Sequence, residues 1–205
     1  MGLLDSLNNE DLADRLSAIG IRLEKKIIDI SQPLFSSKVY PGDKAPSFER
    51  VNTLSEDKYN LTNISLSVHN GTHIDSPRHF LDKGIGVGNL ELEIFYGKCV
   101  VKEWDGVVPA ECKRLLIKGN YVMSAADARD IVNAGVKLVG VESQSVGPMD
   151  TPEEVHKILL EAGVIPLEGL MLSHVALGSY ILSAFPLNLG ADCDGSPVRA
   201  VLIPE

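Results

Sequence analysis

The chain has 205 residues, of which 44% are hydrophobic, 23% charged and 5% aromatic, a composition that excludes disordered, collagen-like and disulfide-scaffold proteins. A chain of this length can bury a core large enough to fold as one domain without a structural metal or a disulfide. The 19 Lys and Arg against 28 Asp and Glu leave a net charge of -9. This charge argues against nucleic acid and anionic membranes as partners, because both are bound through clustered cations.

The same sequence indicates where the protein works. Its first residues lack the basic and apolar regions of a signal peptide, and no apolar run approaches the length of a membrane span. The three cysteines, Cys99, Cys112 and Cys193, are odd in number and form no CxxC pair, which suits a reducing compartment. We therefore expect a cytoplasmic protein.

The chain begins with a helical pattern. Leu12, Leu16 and Ile19 recur at helical spacing and are followed by Gly20, which predicts a short amphipathic helix. We expect residues 1–24 to form an N-terminal helical arm and residues 25–205 to form the single domain. The arm either packs on its own domain or docks on a second subunit.

Strand signals follow in the first half of the domain. The segment KKIIDIS predicts the first strand, and Tyr40 begins a Pro-Gly turn. From Asn63, apolar and polar residues alternate, which predicts a strand with one buried face and places His69 on its polar face. Residues 82–89 are rich in glycine without the strand-to-helix transition of a phosphate-binding loop, so we expect a flexible loop.

The second half alternates strand and helix signals less regularly. The segments CVVKEW, RLLI and KLVGVE read as strands, and Ser124 with Asp127 opens a helix that ends near Gly135. Thr151 as N-cap and Pro152 in the first turn predict a second helix, to about residue 162. Three C-terminal apolar runs bring the total to roughly eight strands without the strict alternation of a Rossmann domain. The sequence predicts an α/β fold: a mixed single domain dominated by β-sheet.

Three of the five histidines fall in one window of eleven residues, 69–79. His69, His73, Asp75 and His79 all occupy odd positions, so an extended backbone would project them to the same side. Gly71 and the proline at 77 rule out one regular helix, which excludes the helical zinc motif of metalloproteases. Two imidazoles and a carboxylate at this spacing are a suitable ligand set for Zn²⁺ or Mn²⁺.

The string HNGTHIDSPRH over residues 69–79 resembles the signature of the cyclase-like family that contains bacterial kynurenine formamidases and isatin hydrolases. The resemblance extends over most of the chain. Its further segments are residues 29–34, 41–43, 137–141, 167–170 and 196–200. It implies the swivelling β/β/α type of fold.

The resemblance also implies a metal site and its ligands. His69, His73 and Asp75 would hold one ion, and Asp75 would bridge to a second ion held by His156 and Glu168. We expect two zinc ions per subunit, with Mn²⁺ as the alternative. From the residues alone, His156 reads as a helix-surface residue. Glu168, between two apolar runs, reads as a turn residue or a paired acid.

Other residues near the motif receive roles on the same basis. His79 is the expected catalytic residue, transferring a proton, since imidazole titrates near neutral pH. Thr72 and Asn70 are expected to orient ligands or substrate, and Tyr40 to offer an aromatic platform for the substrate. His174 lies outside the motif and reads as structural.

The implied function is that of a metal-dependent arylformamidase of tryptophan catabolism, which hydrolyses N-formylkynurenine to kynurenine and formate. Departures from the family pattern between residues 116 and 148 leave alternatives open. These are a hydrolase of another cyclic amide, imide or lactone, as in isatin hydrolases, and a catalytically silent metal-binding relative. The expected partners are a small amide substrate and further copies of the chain, in a homodimer or larger assembly.

Overall fold

A computed structural model describes residues 26–205, and one large sheet forms the centre of this region. The expected helical arm at 1–24 lies outside the described residues and stays a prediction, as does its docking on a second subunit. Within 26–205, no helix combines the length and the apolar character that crossing a bilayer requires.

The described region contains eleven strands and three α-helices, which are numbered here in chain order. The strands are β1 (Ile28–Asp29), β2 (Ser47–Asn52), β3 (Leu61–Ser65), β4 (His73–Asp75), β5 (Tyr96–Glu103), β6 (Arg114–Lys118), β7 (Leu138–Val141), β8 (Ile165–Glu168), β9 (Gly178–Ser183), β10 (Gly195–Pro197) and β11 (Val201–Pro204). The helices are α1 (Leu54–Asp57), α2 (Ala125–Asn133) and α3 (Glu153–Glu161). Short 3-10 turns cover Leu34–Ser36, Pro77–His79, Val87–Asn89 and Leu92–Phe95.

Nine strands form one mixed sheet in the order β1-β11-β9-β5-β6-β7-β8-β4-β10. The strands β5 to β8 are parallel to one another, and every other pairing in the sheet is antiparallel. The expected mixed α/β domain dominated by sheet is confirmed. Strands β2 and β3 pair with each other in a separate two-stranded sheet.

The sheet buries apolar side chains on both faces, because successive residues of a strand point in opposite directions. In the central strand β6, Leu115 and Ile117 pack into the cluster that includes residues of α2 and α3. Leu116, between them, joins the larger cluster on the other face. Both faces of β6 are therefore covered, as expected for the parallel part of a sheet.

The helix predictions were correct for α2 and wrong by one residue for α3. Ser124 caps α2 through a reciprocal capping box with Asp127. At α3, the N-cap position belongs to Pro152, whose backbone is already helical. The Thr151 hydroxyl contacts Asp150 instead of capping the helix.

The strand prediction around residue 64 was wrong in two respects. Strand β3 ends at Ser65, and His69 lies in a turn rather than on a strand. No residue of β3 is buried, and Ile64 is 59% exposed. The alternation of apolar residues was real, but alternation alone does not supply a layer that covers the apolar face.

The glycine-rich segment 82–89 is the expected loop, and near Gly86 its backbone contacts a second segment of the chain. The amide of Val87 donates to the carbonyl of Cys193 at 2.9 Å, and the amide of Gly88 donates to the carbonyl of Gly190 at 3.0 Å. A Cβ added at Gly86 would lie 2.0 Å from the carbonyl oxygen of Ala191. Glycine is therefore required at residue 86 because two backbone segments pass each other without room for a side chain.

Leu116 offers a direct test of this packing. Leu116→Ala should lower the free energy of unfolding by about 2 to 5 kcal/mol, because the fully buried side chain leaves a cavity between covered layers. Leu92 is 59% exposed, and Leu92→Ala should stay within about 0.5 kcal/mol of the wild type. Urea denaturation of both variants measures the difference, and equal midpoints would contradict the described core.

Candidate active site

The short strand β4 is the scaffold of the candidate site. It pairs with β8 on one side, where His73 faces Glu168 across the ladder, and with β10 on the other, where Asp75 faces Gly195. His73 and Asp75 lie two residues apart and share one face of β4. Pairing with β8 thus brings an acid distant in sequence beside the histidine motif.

All five predicted metal-ligating residues meet in one cluster. His69 Nδ1 lies 2.9 Å from Asp75 Oδ1, and His73 Nε2 lies 3.3 Å from Glu168 Oε2. His156 Nε2 lies 3.3 Å from Asp75 Oδ2 and 3.1 Å from Glu168 Oε1. His73, Asp75, His156 and Glu168 are buried, each with 3% or less of its surface exposed. The reading of His156 as a helix-surface residue was wrong, because α3 turns this side chain inward toward β8.

Two imidazoles in the cluster are oriented by backbone carbonyls. His73 Nδ1 lies 3.0 Å from the carbonyl oxygen of Gly71, and His156 Nδ1 lies 2.7 Å from that of Pro152. A carbonyl oxygen can only accept a hydrogen bond, so Nδ1 carries the proton in both rings. When the ring is neutral, Nε2 then presents a lone pair to the cluster, as in metal-ligating histidines.

The carboxylates also suit a cation. Among the described residues, Asp75 Oδ2 is buried and makes no hydrogen bond of normal geometry, although His156 Nε2 lies 3.3 Å away and buried carboxylate oxygens normally have such a partner. Glu168 Oε1 accepts from the amide of Val146 at 2.7 Å and also lies 3.1 Å from His156 Nε2, while Oε2 faces His73. Asp75 belongs to two groups whose possible ligand atoms all lie within 4.8 Å of one another. The first group is His69, His73 and Asp75, and the second is Asp75, His156 and Glu168. This donor set fits a divalent metal ion.

The electrostatics of the cluster balance burial against ion pairing. Burial alone would lower the pKa of His69 and of His156, but contacts with the neighbouring carboxylates outweigh it and raise each pKa to about 10. Burial would raise the pKa of Asp75, yet its contacts with His156 and His69 hold that pKa well below its usual range. The imidazoles thus carry the positive charge that the buried carboxylates require.

His79 lies beside this cluster rather than in it. It ends the 3-10 turn Pro77–His79, and its ring stacks on that of His69 with the centroids 4.0 Å apart. Burial lowers the pKa of His79. The charge of Asp75 opposes this effect, and that of His69 adds to it. His79 also lines a cavity of about 210 Å³ above the cluster. The other lining residues are Tyr40, Asp43, His69, His73, Phe80, Gln144, Ser145, Pro152, His156 and Glu168.

The remaining predicted residues surround the cluster. Tyr40 lines the cavity, and its hydroxyl donates to the carbonyl of Met149 at 2.8 Å. The Thr72 hydroxyl donates to the carbonyl of Gly169 at 2.7 Å, which ties the start of β4 to the residue after Glu168. Asn70 accepts from the amide of Ser67 at 2.9 Å and lies buried beneath the turn that carries His69.

Two histidines differ from the sequence-based expectation, and a third agrees with it. His69 and His79 reach the cavity from turns, so their odd-numbered spacing to His73 and Asp75 does not reflect one extended strand. His174 Nε2 contacts the carbonyl of Asp29 at 3.0 Å, outside the cavity, in agreement with a structural role.

Sequence reasoning missed Asp194. Its Oδ2 lies 3.0 Å from His69 Nε2 and 3.4 Å from His79 Nδ1. The hydrogen bond from His69 holds the pKa of Asp194 down, at about 2. The available signal was weak: an acid directly before Gly195 in a segment that otherwise reads as a loop.

Comparison with known proteins places this site in context. The model of the cyclase family matches residues 28–127. A kynurenine formamidase of Bacillus cereus is 35% identical over 204 residues, which cover 86% of this chain and 97% of that protein. The kynurenine formamidase of Bacillus anthracis is also 35% identical, with 87% of this chain and 98% of that protein covered.

Solved structures show the same fold. One, described as a potential metal-dependent hydrolase with cyclase activity, has a TM-score of 0.72 at 25% identity and covers 88% of this chain and 98% of its own. Isatin hydrolase A from Labrenzia aggregata has a TM-score of 0.74 at 19% identity, with 96% and 99% covered, and supports the fold alone. The extent of the sequence match decides the assignment: this chain belongs to the cyclase family.

Proposed function

We propose that this protein is a metal-dependent amide hydrolase that removes the formyl group of N-formylkynurenine in tryptophan catabolism. The observation that carries the proposal is the buried cluster of three imidazoles and two carboxylates beneath a cavity that a further histidine lines. The sequence match to kynurenine formamidases supports the substrate. The three cysteines of the chain are free thiols, in keeping with the proposed cytoplasmic location.

The proposed metal site uses all five clustered residues. His69, His73 and Asp75 would hold one ion, and Asp75 with His156 and Glu168 a second. We propose zinc at both positions, with manganese as the alternative for the same imidazole and carboxylate donors. A divalent ion bound here would supply Lewis acidity, which makes water a nucleophile near neutral pH and stabilises negative charge on a carbonyl oxygen.

We assign proton transfer to His79. Its lowered pKa keeps the ring neutral at pH 7, so it can accept a proton when water adds to the formyl carbon. It would return that proton to the amine nitrogen as the carbon–nitrogen bond breaks, giving formate and the free arylamine. Tyr40 would contact the aromatic ring of the substrate. Thr72 and Asn70 would hold the segments that carry the ligands.

The cavities suggest how a substrate larger than a formamide fits. A second cavity of about 750 Å³ adjoins the first and shares Gln144 and Ser145 with it. The formyl group would enter the small cavity, and the rest of the substrate would extend past these two residues. Lys38 lines the larger cavity and would pair with a carboxylate of the substrate.

The substrate and catalytic residue are tested together. The metal-loaded protein should release kynurenine from N-formylkynurenine, and chelation should abolish turnover. His79→Ala should lower kcat by roughly 10²- to 10⁴-fold, the usual contribution of a general acid or base. His174→Ala is the matched control and should leave kcat unchanged. Full activity of His79→Ala would refute the role of His79; turnover of isatin but not of the formamide would indicate the cyclic-amide alternative.

Metal binding should release protons. The pKa values of His69 and His156 are about 10 without metal, so both rings are protonated at pH 7 and must lose a proton to bind an ion. Burial would lower the pKa of His73 as well, but its contacts with Glu168 and Asp75 raise it. Zinc affinity should therefore rise as the pH increases from 7 toward 10, with at least two protons released per chain at pH 7. Calorimetry in buffers of different ionisation enthalpy measures this number. An enthalpy independent of the buffer would contradict it.

We also propose a homodimer or larger assembly. Phe48 and Ile64 face each other across β2 and β3, and they are 58% and 59% exposed. Two large apolar side chains side by side on an unburied strand pair are typical of an interaction surface.

The double variant Phe48→Glu, Ile64→Glu should lower the molar mass measured by light scattering. Ser55→Glu adds a charge to an exposed residue of α1 in the same segment and should not change it. Deleting residues 1–20 tests the helical arm separately. A monomeric wild-type protein would exclude the proposed assembly.

A further inference from the structure

Asp194 connects the two histidines that reach the cavity from turns. Its Oδ2 lies 3.0 Å from His69 Nε2 and 3.4 Å from His79 Nδ1. We propose that Asp194 is a positioning residue, which fixes the orientation and tautomer of His69 toward the metal and of His79 toward the substrate. This inference rests on the hydrolase site proposed above.

One ring nitrogen of His69 faces the cluster, and the other contacts Asp194 outside it. His69 Nδ1 faces Asp75 Oδ1 at 2.9 Å, so in the proposed metal site Nδ1 would be the ligand atom and Nε2 the outer nitrogen. A further group of possible ligand atoms consists of His69, His79 and Asp194. The zinc stoichiometry measured below distinguishes a ligand role of this group from a positioning role. The outer nitrogens of His73 and His156 donate to backbone carbonyls, whereas that of His69 contacts the Asp194 carboxylate. When the His69 ring is neutral, as metal binding requires, a carboxylate that accepts from Nε2 keeps the proton there and leaves the lone pair on Nδ1.

The same carboxylate oxygen faces His79. With Nδ1 directed to Asp194, Nε2 is the nitrogen of His79 left to exchange a proton with a substrate. The two rings stack with their centroids 4.0 Å apart, so the orientation of each ring bears on that of the other. The Asp194 side chain is 43% exposed, and its carboxylate bonds to His69 directly. It acts on His79 through its charge at 3.4 Å and through the stacked ring of His69, much as the carboxylate of a hydrolytic triad orients its histidine.

The backbone around Asp194 is held from three sides. The amide of Ser76 donates to the carbonyl of Asp194 at 2.9 Å, and Gly195 pairs with Asp75 between β10 and β4. A Cβ at Gly195 would lie 2.7 Å from His69 Cε1, so the backbone itself closes against that ring.

The glycine-rich segment 82–89 supports the same loop from below. The amide of Gly88 donates to the carbonyl of Gly190, and a Cβ added at Gly88 would lie 2.7 Å from the Gly190 carbonyl carbon. Together with the close contact of Gly86 on Ala191, this packing seats residues 190–193, which lead into Asp194. Gly86 and Gly88 therefore allow close backbone packing against residues 190–193, which accounts for the glycines without a phosphate-binding role.

The test uses variants of two acids in one loop. Asp194→Ala removes the shared acceptor, while Asp192→Ala is the control, since Asp192 is 97% exposed at its side chain and pairs with Arg78. Zinc affinity is measured by competition with a chromophoric chelator, and kcat and KM are measured on the zinc-loaded protein. Thermal unfolding checks that each variant is folded. If Asp194→Ala does not fold, Asp194→Asn, of the same shape, replaces it.

Asp194→Ala should weaken zinc binding about 10- to 100-fold and lower kcat by a similar factor with KM little changed, since second partners of metal-ligating histidines contribute on this scale. Asp194→Glu should recover part of both, and Asp192→Ala should match the wild type. Zinc affinity and kcat of Asp194→Ala within twofold of the wild type would overturn the proposal. Loss of one equivalent of zinc would also overturn it, because Asp194 would then be a ligand. The affinity arm needs no substrate, so it stands even if the formamidase proposal fails.

Discussion

The antiparallel pairing of β4 with β8 and β10 is the constraint on which the site depends. Strand β4 has only three residues, yet each is buried, and two of them are ionisable. Pairing with β8 places the Cα atoms of His73 and Glu168 directly opposite each other, and pairing with β10 brings the segment after Asp194 against Asp75. A slip of one residue in either ladder would turn these side chains to the opposite face.

Such a cluster is costly inside a protein. A buried carboxylate or imidazolium loses its hydration, and only close opposite charges or a metal can offset that loss. Here each acid contacts at least two imidazoles, and the raised pKa of His156 and lowered pKa of Asp75 express this mutual dependence. The fold holds these histidines and carboxylates close together at a cost in stability, which is common at functional sites.

The segment after β7 contains one residue that holds the framework and two that line the cavities. Glu142 accepts from the amides of Gly119 and Leu172, so this acid holds the ends of neighbouring strands rather than a ligand. Gln144 and Ser145 follow at once and form the wall between the two cavities. The amide of Val146, next in the chain, donates to Glu168 Oε1, so this segment both forms the cavity wall and contacts the cluster of histidines and carboxylates.

Local sequence was sufficient for whatever depends on local geometry. The spacing of His73 and Asp75 placed them on one face of a strand, Ser124 with Asp127 identified the start of α2, and the composition indicated a mixed α/β domain. The burial of His156, the exposure of β3, the packed glycine loop and the contacts of Asp194 followed only from the tertiary structure. The physical reason is that side-chain periodicity acts over a few residues. Strand partners, such as β4 and β10, and the layers that cover each face come from segments that are distant in the sequence.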